Sequence, residues 1–240
     1  MSWQTLADDL FPQGHSITEK AEFLSGTAQV DGEVVTVVGT TGHTPIGIEI
    51  ALSQAQAILQ TVRAHPGRSI VILVDTQGQR LRHRDEMLGI NSYMAHLGKC
   101  IDLARREGHK IIGLVYDQAL SGGFITSGLM ADACYALPDA TIRVMGLPAM
   151  ARITKVPEER LVELAKSNPV FAPGPENYRR MGGVADIWSK DLAAQLAQAL
   201  AAADNRDGRA ALGQQRGGRN WSQRVVNAIV SGSGSDVQPL

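Results

Sequence analysis

Ser121-Gly122-Gly123-Phe124 is the segment whose residue types come nearest to a reaction centre. It follows an apolar run, Ile111-Ile112-Gly113-Leu114-Val115-Tyr116, and precedes Ile125-Thr126-Ser127-Gly128-Leu129-Met130, so the glycines stand where a strand turns into a helix. Two glycines let a backbone approach a ligand closely, and the first N–H groups of a new helix have no partner within it. Such a nest can hold developing negative charge, for example on the enolate formed when a thioester loses or gains a carboxyl group. The same residues also suit an ordinary turn that packs a helix against a sheet, and the pattern alone leaves both readings open. A serine nucleophile at Ser121 is disfavoured, because there is no G-x-S-x-G elbow and spacing assigns no histidine as its base.

Two further segments carry polar groups suited to a ligand. Asp75-Thr76-Gln77-Gly78 closes an apolar strand and reads as a turn with N-capping residues. Arg80, Arg82, His83 and Arg84 form a basic cluster, followed at once by Asp85 and Glu86. They suit a phosphate or carboxylate contact on a pantetheine-type substrate, or a solvated loop whose charges balance locally. The six histidines, at 15, 43, 65, 83, 96 and 109, form no HxxxH or HxH pair, so no metal site is expected. His43, in Gly42-His43-Thr44, follows the first strand and could face the same cleft.

The elements that must position these groups follow from periodicity. Residues 33–38 read as a β-branched strand, and Ile48, Leu52, Ala55, Leu59 and Val62 make one stripe of a helix over 46–65, stopped by Pro66-Gly67. Residues 69–74, Ser-Ile-Val-Ile-Leu-Val, suit a strand covered on both faces. A polar loop from Asp75 to Gly89 leads to a second helix, with Ile90, Tyr93 or Met94, Leu97, Ile101 and Ala104 on its stripe. The third strand is 111–116, a short helix runs to about Met130, and short strands follow at 134–137 and 141–145. This alternation predicts an α/β fold with parallel strands and right-handed crossovers. Ligands in such folds sit where strand ends meet helix starts, which singles out loops 75–80 and 117–124. After Gly146 the chain reads as helical near 148–154, 157–166 and 175–181. Leu192, Leu196 and Leu200 form a narrow seam suited to docking on the domain or on a partner, and 204–219 is polar and Gly/Arg-rich.

The 240 residues carry a formal charge of −1, which gives no reason to expect nucleic acid or an anionic membrane as partner. No apolar run approaches the roughly 18 residues of a bilayer span, and Met1 to Asp9 lacks the basic-then-apolar pattern of a secretory leader. Cys100 and Cys134, the two cysteines, have no metal-ligand spacing and read as reduced core thiols of a cytoplasmic protein.

The strand ending Asp75-Thr76-Gln77-Gly78, the long helix, the next strand and Ser121-Gly122-Gly123 together resemble the carboxyltransferase branch of the crotonase superfamily. In that branch the second strand usually ends D-T-P-G, with proline where this chain has Gln77, and a G-G turn forms an oxyanion hole. Across Leu120–Ile153, including Val144-Met145-Gly146-Leu147-Pro148, and through Met181-Gly182-Gly183-Val184-Ala185-Asp186-Ile187-Trp188, the chain resembles the gamma-subunit family of malonate decarboxylase.

The resemblance implies a crotonase-like ββα spiral with a helical C-terminal region. Residues 1–230 would form one carboxyltransferase domain, with its core over about 34–188, C-terminal helices over 190–230 and a flexible tail at 231–240. It implies a beta subunit as partner, with acyl-carrier (delta) and transferase (alpha) subunits, and a malonyl thioester that loses CO₂ on a CoA-like phosphopantetheine arm, with no cofactor held covalently by this chain. The backbone of Gly122, Gly123 and Phe124 would form the oxyanion hole, and Gly78, Gln79, Arg80, Arg82 and Gly146 would contact substrate. Carboxyl transfer to biotin and a purely structural partner of the beta subunit are the alternatives. An independent acyl-CoA hydratase is disfavoured, since hydration needs two positioned carboxylates and no Glu pair follows the glycine turn.

Overall fold

The computed structural model describes residues 1–166, 174–204, 206–218 and 220–232. The expected tail at 231–240 lies, from residue 233 on, outside the described residues. The chain opens with helix α1 (Trp3–Leu10) and strands β1 (Thr18–Lys20), β2 (Phe23–Val30) and β3 (Glu33–Thr40). Helix α2 (Ile48–Ala64), β4 (Ile70–Thr76), α3 (His83–Met87), α4 (Ile90–Arg106) and β5 (Ile111–Leu120) follow. Next come α5 (Ser121–Ile125), a 3₁₀ turn at Gly128–Met130, β6 (Ala133–Ala136) and β7 (Thr141–Arg143). The remainder is α6 (Leu147–Thr154), α7 (Glu158–Ala165), α8 (Pro175–Arg180), β8 (Asp186–Ile187), α9 (Leu192–Ala202), α10 (Arg209–Gln215) and α11 (Asn220–Ser231).

One sheet runs β1-β2-β3-β4-β5-β6-β8, with β7 also paired to β5. From β3 onward the pairs are parallel, as the alternation predicts, while β1, β2 and β3 form an antiparallel meander that the sequence reading missed. Period-2 alternation in β4 drives its two faces into two cores. Val71 and Leu73 join Leu6, Leu10, Phe11 and Leu24 on one side, and Ile70, Ile72 and Val74 join Leu97, Ile101 and Ala104 on the other. The apolar core therefore extends beyond 34–188 to α1 and β2. Leu196 and Leu200 are buried in the first core, so the leucine seam docks on this chain itself and gives no argument for a partner. On α2 the buried stripe is Ile48, Ala51, Ala55 and Ile58, whereas Leu52, expected inside, is exposed. No helix among the described residues is long and apolar enough to cross a membrane.

Polar anchors hold the helices to this sheet. Arg105 Nε donates to Asp132 at 2.6 Å, and the same carboxylate accepts the Ile111 N–H at 2.7 Å, with side chains only 10% and 4% exposed for Arg105 and Asp132. The pair ties the end of α4 to the start of β5 and the entrance of β6. Asp132→Ala would leave a buried guanidinium and a backbone N–H unpaired, and should lower unfolding free energy by about 3 kcal/mol in urea titration. A loss below about 1 kcal/mol would show the pair to be energetically idle.

Candidate active site

The site begins with a mismatch between two strands. Val74 pairs with Val115 and Thr76 with Ala119, so β5 spends Tyr116, Asp117 and Gln118 where β4 spends Asp75 alone. Such a bulge frees backbone amides, and here the buried Asp75 carboxylate collects them. Its Oδ1 accepts the Gln118 N–H at 3.2 Å, and its Oδ2 accepts the N–H of His43, on the β3–α2 loop, at 2.9 Å. Asp75 N–H donates to Thr40 Oγ1 at 3.4 Å, and Tyr116 Oη donates to the Thr40 carbonyl at 2.9 Å. Burial pushes the Asp75 carboxyl above its ordinary range, and the His43 amide pulls it partly back.

The following residues carry this anchor to the glycine turn. Thr76 Oγ1 donates to the Thr44 carbonyl at 2.7 Å and accepts the Gly78 N–H at 3.1 Å, which closes the 76–78 turn. Gly78 has φ +106°, a conformation that favours glycine. Ile46 N–H donates to the Gly78 carbonyl at 2.8 Å and Arg80 N–H to the Ile46 carbonyl at 2.9 Å, so the loop is also held by a short bridge to 44–46. The loop lies directly on Ser121–Phe124. A Cβ on Gly123 would come within 2.9 Å of the Gly78 carbonyl carbon, and one on Gly122 within 3.0 Å of Gln79 Oε1.

The turn itself departs from the sequence reading in two ways. The Gly122 N–H, expected to face a ligand, donates to Gln79 Oε1 at 3.1 Å. The helix expected to reach Met130 stops at Ile125, where Thr126 Oγ1 and Ser127 Oγ bond back to the Gly122 and Gly123 carbonyls at 2.8 and 2.6 Å. Ser121 sits at φ +50° and donates through Oγ to the Val144 carbonyl, which fixes it as a strut. Gly146, two residues past Val144, caps α6 beside this strut. The Phe124 side chain is buried edge-on to Tyr178 at 6.2 Å between ring centroids, so Phe124 anchors the turn and can offer only its backbone.

The loop expected over 75–89 contains α3, and its arginines divide. Arg82 makes a two-point ion pair with Asp85, at 2.6 and 3.2 Å, and approaches Glu49 at 3.6 Å, while Arg84 pairs with Glu49. Asp85 is fully covered and also accepts the Ile48 N–H at 3.3 Å, and the Arg82 guanidinium holds its carboxyl below the usual range. These two arginines thus serve α3 and α2, which corrects the expectation for Arg82. Arg80 makes no side-chain hydrogen bond or ion pair among the described residues and stays available to a ligand.

His43 faces Asp117, not the turn: its Nε2 lies 3.1 Å from Asp117 and 3.7 Å from Asp75. With one oxygen from each carboxylate within 4.8 Å, this set is where a metal ion could be held, although both Asp75 oxygens already serve backbone amides. Sequence reasoning passed over Asp117 and Gln118 because a bulge has no local signature. It also missed the capping role of Gln79, whose only signal was an amide side chain directly after Gly78. Two roomy clefts of about 510 Å³ each lie elsewhere, one lined by Tyr116, Leu137 and Trp188 and the other between β2 and α2.

Two outcomes follow from this wiring. Asp75→Asn replaces one acceptor with a donor that faces an N–H, and should lower stability by about 1–3 kcal/mol near neutral pH. Since burial raises the folded pKa above 3.8, the folded state holds this proton more tightly than the unfolded chain. The Asp75 contribution is therefore greatest at low pH and falls as pH rises from 3.8 through the folded value. Paired thermal melts should show the wild-type advantage over Asp75→Asn growing on acidification, and a pH-independent gap would contradict this. In turnover assays Arg80→Ala should raise KM with little change in kcat. Arg82→Ala should instead lower the melting temperature, by leaving Asp85 unpaired.

Comparison with known proteins identifies the family and the fold. The family described as malonate decarboxylase gamma subunit matches residues 41–233. A curated relative from Malonomonas rubra, the malonyl-S-ACP:biotin-protein carboxyltransferase MADD, is 32% identical over 234 residues, covering 84% of this chain and 80% of its own. Among solved structures, a Pseudomonas malonate decarboxylase hetero-tetramer in complex with coenzyme A aligns at TM-score 0.77 and 23% identity, covering 93% of this chain and 97% of that one. Transcarboxylase 12S aligns at TM-score 0.73 and 20% identity, over 86% of this chain and 42% of that one. The fold is that of crotonase-type carboxyltransferases. Family match, curated relative and fold agree: the chain belongs to the malonate decarboxylase gamma subunit family.

Proposed function

We propose that this chain forms one wall of a two-subunit active site and that the pair decarboxylates a malonyl thioester. The observation that carries the reading is a rigid glycine turn that opens among large apolar side chains left in water. Leu81, Met87 and Leu88 lie just past the 76–80 loop, Ile125 adjoins the turn, and Val144 and Ile153 lie on the segment that Ser121 Oγ reaches. Exposed apolar groups beside such a site suit an interaction surface, although a second group of them, Trp221, Val225, Val226, Ile229 and Val230, lies on α11. A solved Pseudomonas malonate decarboxylase MdcD-MdcE hetero-dimer, similar in fold at TM-score 0.75 and 23% identity, supports assembly with a second subunit.

The chemistry needs little covalent help. The bond between carboxylate and methylene carbon breaks, its electron pair delocalises onto the thioester oxygen, and CO₂ leaves. The methylene carbon then takes a proton to give the acetyl thioester. What the chain must supply is donors at the thioester oxygen in a water-poor site, each typically worth about 2.7–4 kcal/mol of barrier. We assign this role to the Gly123 amide, with Gly122 behind it and Phe124, whose N–H closes the first turn of α5 on Leu120, as its anchor, and we assign substrate contacts to Gly78, Gln79, Arg80 and Gly146. The thioester rides on the CoA-like phosphopantetheine arm of an acyl-carrier subunit, and this chain holds no covalent cofactor. Residues 1–230 act as one carboxyltransferase unit. In support, Lys110 Nζ reaches the Leu200 carbonyl at 2.8 Å, and Arg216 bonds the Arg179, Val184 and Ala185 carbonyls. We place the protein in the cytoplasm, where Cys100 and Cys134 stay reduced. Burial raises both thiols, Cys134 to about 12, which suits inert structural cysteines.

A second reading, transfer of the malonyl carboxyl to biotin, is favoured by the activity named for the 32%-identical relative. Reconstitution with a beta-type subunit and malonyl-loaded acyl carrier separates the two. Release of CO₂ and acetyl thioester by the pair, without biotin and absent from either subunit alone, is the expected result. Product formation that depends strictly on a biotin carrier would establish the second reading, and turnover by the isolated chain would refute the two-subunit site.

A further inference from the structure

We propose that the Gln79 carboxamide is a catalytic oxyanion donor and that the Gly122 amide is its positioning group. This rests on the decarboxylase reading above and assigns a role within that site. The Gly122 N–H is spent on Gln79 Oε1 at 3.1 Å, so it cannot also meet a substrate oxygen. Glycine at 122 keeps the space for that contact, since a Cβ there would come within 3.0 Å of Oε1. The base of the side chain is equally fixed, because Ile46 N–H holds the Gly78 carbonyl at 2.8 Å and Arg80 N–H holds the Ile46 carbonyl at 2.9 Å. A carboxamide is planar and carries its NH₂ donors on the same carbon as its carbonyl acceptor. Once Gly122 pins Oε1, Nε2 is held beside it at the turn, and it makes no hydrogen bond among the described residues. A bond accepted at Oε1 polarises the amide and strengthens its N–H donors. Side-chain amides serve beside backbone N–H groups in oxyanion holes on other folds. Gln79 Nε2–H and the Gly123 amide then form the donor pair. No proton or covalent bond is exchanged with Gln79, which only stabilises the negative charge that reaches the thioester oxygen as the carbon–carbon bond breaks.

The test uses the chain assembled with its beta-type partner and malonyl-loaded carrier. Gln79→Ala should lower kcat by about 10²-fold while KM changes less than about threefold, the pattern of a donor engaged only in the transition state. Gln79→Glu should be at least as impaired at neutral pH, where a carboxylate has no donor. It should recover activity relative to wild type as the pH falls toward the carboxyl pKa, because a protonated acid again offers an O–H. Both variants should assemble and melt like wild type. Unchanged or raised kcat/KM in Gln79→Ala would overturn the proposal and make Gln79 a displaceable plug of the turn. Parallel loss of activity and melting temperature, with no acid recovery in Gln79→Glu, would overturn it in favour of a purely structural brace. An inactive wild-type assembly would overturn the decarboxylase reading itself, and the Gln79 role with it.

Discussion

The buried carboxylate of Asp75 is the constraint on which the site depends. It sits at the end of β4, where β5 bulges, and it accepts one amide from that bulge and one from the β3–α2 loop. Three segments distant in sequence are thereby held at the C-terminal ends of the central strands. Two backbone hydrogen bonds to one carboxylate offset much of what burying it costs, yet burial still dominates its titration. Everything further along is suspended from this point, from Thr76 closing the 76–78 turn to Gly78 lying against Gly123.

The glycine turn shows how steric and chemical demands coincide. Gly123 must be glycine for packing alone, because a Cβ would press on the Gly78 backbone at 2.9 Å, closer than real Cβ contacts come. Glycine identity at 123 is thus no evidence for catalysis, and a substitution there would disturb the loop whatever the turn does. Catalytic evidence has to come from donors whose direction is set and whose partners are missing. By that criterion Gln79 and the Gly123 amide carry the argument, and Gly122 acts behind them. The charged face of the loop divides on the same logic. Arg82 and Arg84 are consumed by Asp85 and Glu49, and only the Arg80 guanidinium is left for a ligand.

Much of this was legible in the sequence, and the failures have physical causes. The strands expected at 69–74 and 111–116 and the buried stripe Ile90, Met94, Leu97, Ile101 and Ala104 follow from periodicity, because those elements are covered on well-defined faces, whereas residues 117–120, expected as loop, extend the second of these strands past its bulge. The loops 75–80 and 117–124 followed from the rule that strand ends meet helix starts. The meander at β1–β2 was missed because Phe23–Val30 mixes Ser, Gly, Thr and Gln with apolar residues and is set by pairing with β3. Helix α3 was read as loop because five residues have no periodicity, and its stability comes from Asp85 reaching Ile48 and Arg82. The contact between Gly122 and Gln79 spans 43 residues and leaves no local trace. Such long-range polar wiring forms only when the whole sheet is in place.

In the function proposed, the turn 121–124, braced by loop 75–80, receives the thioester oxygen in a site completed by a second subunit. A crystal structure of the assembled pair, with a malonyl thioester analogue whose sulfur is replaced by methylene, tests this most directly. The analogue's carbonyl oxygen should lie within about 3 Å of the Gly123 nitrogen and of Gln79 Nε2, with the partner closing the opposite side. A carbonyl oxygen held wholly by the partner's backbone, with this turn untouched, would contradict it.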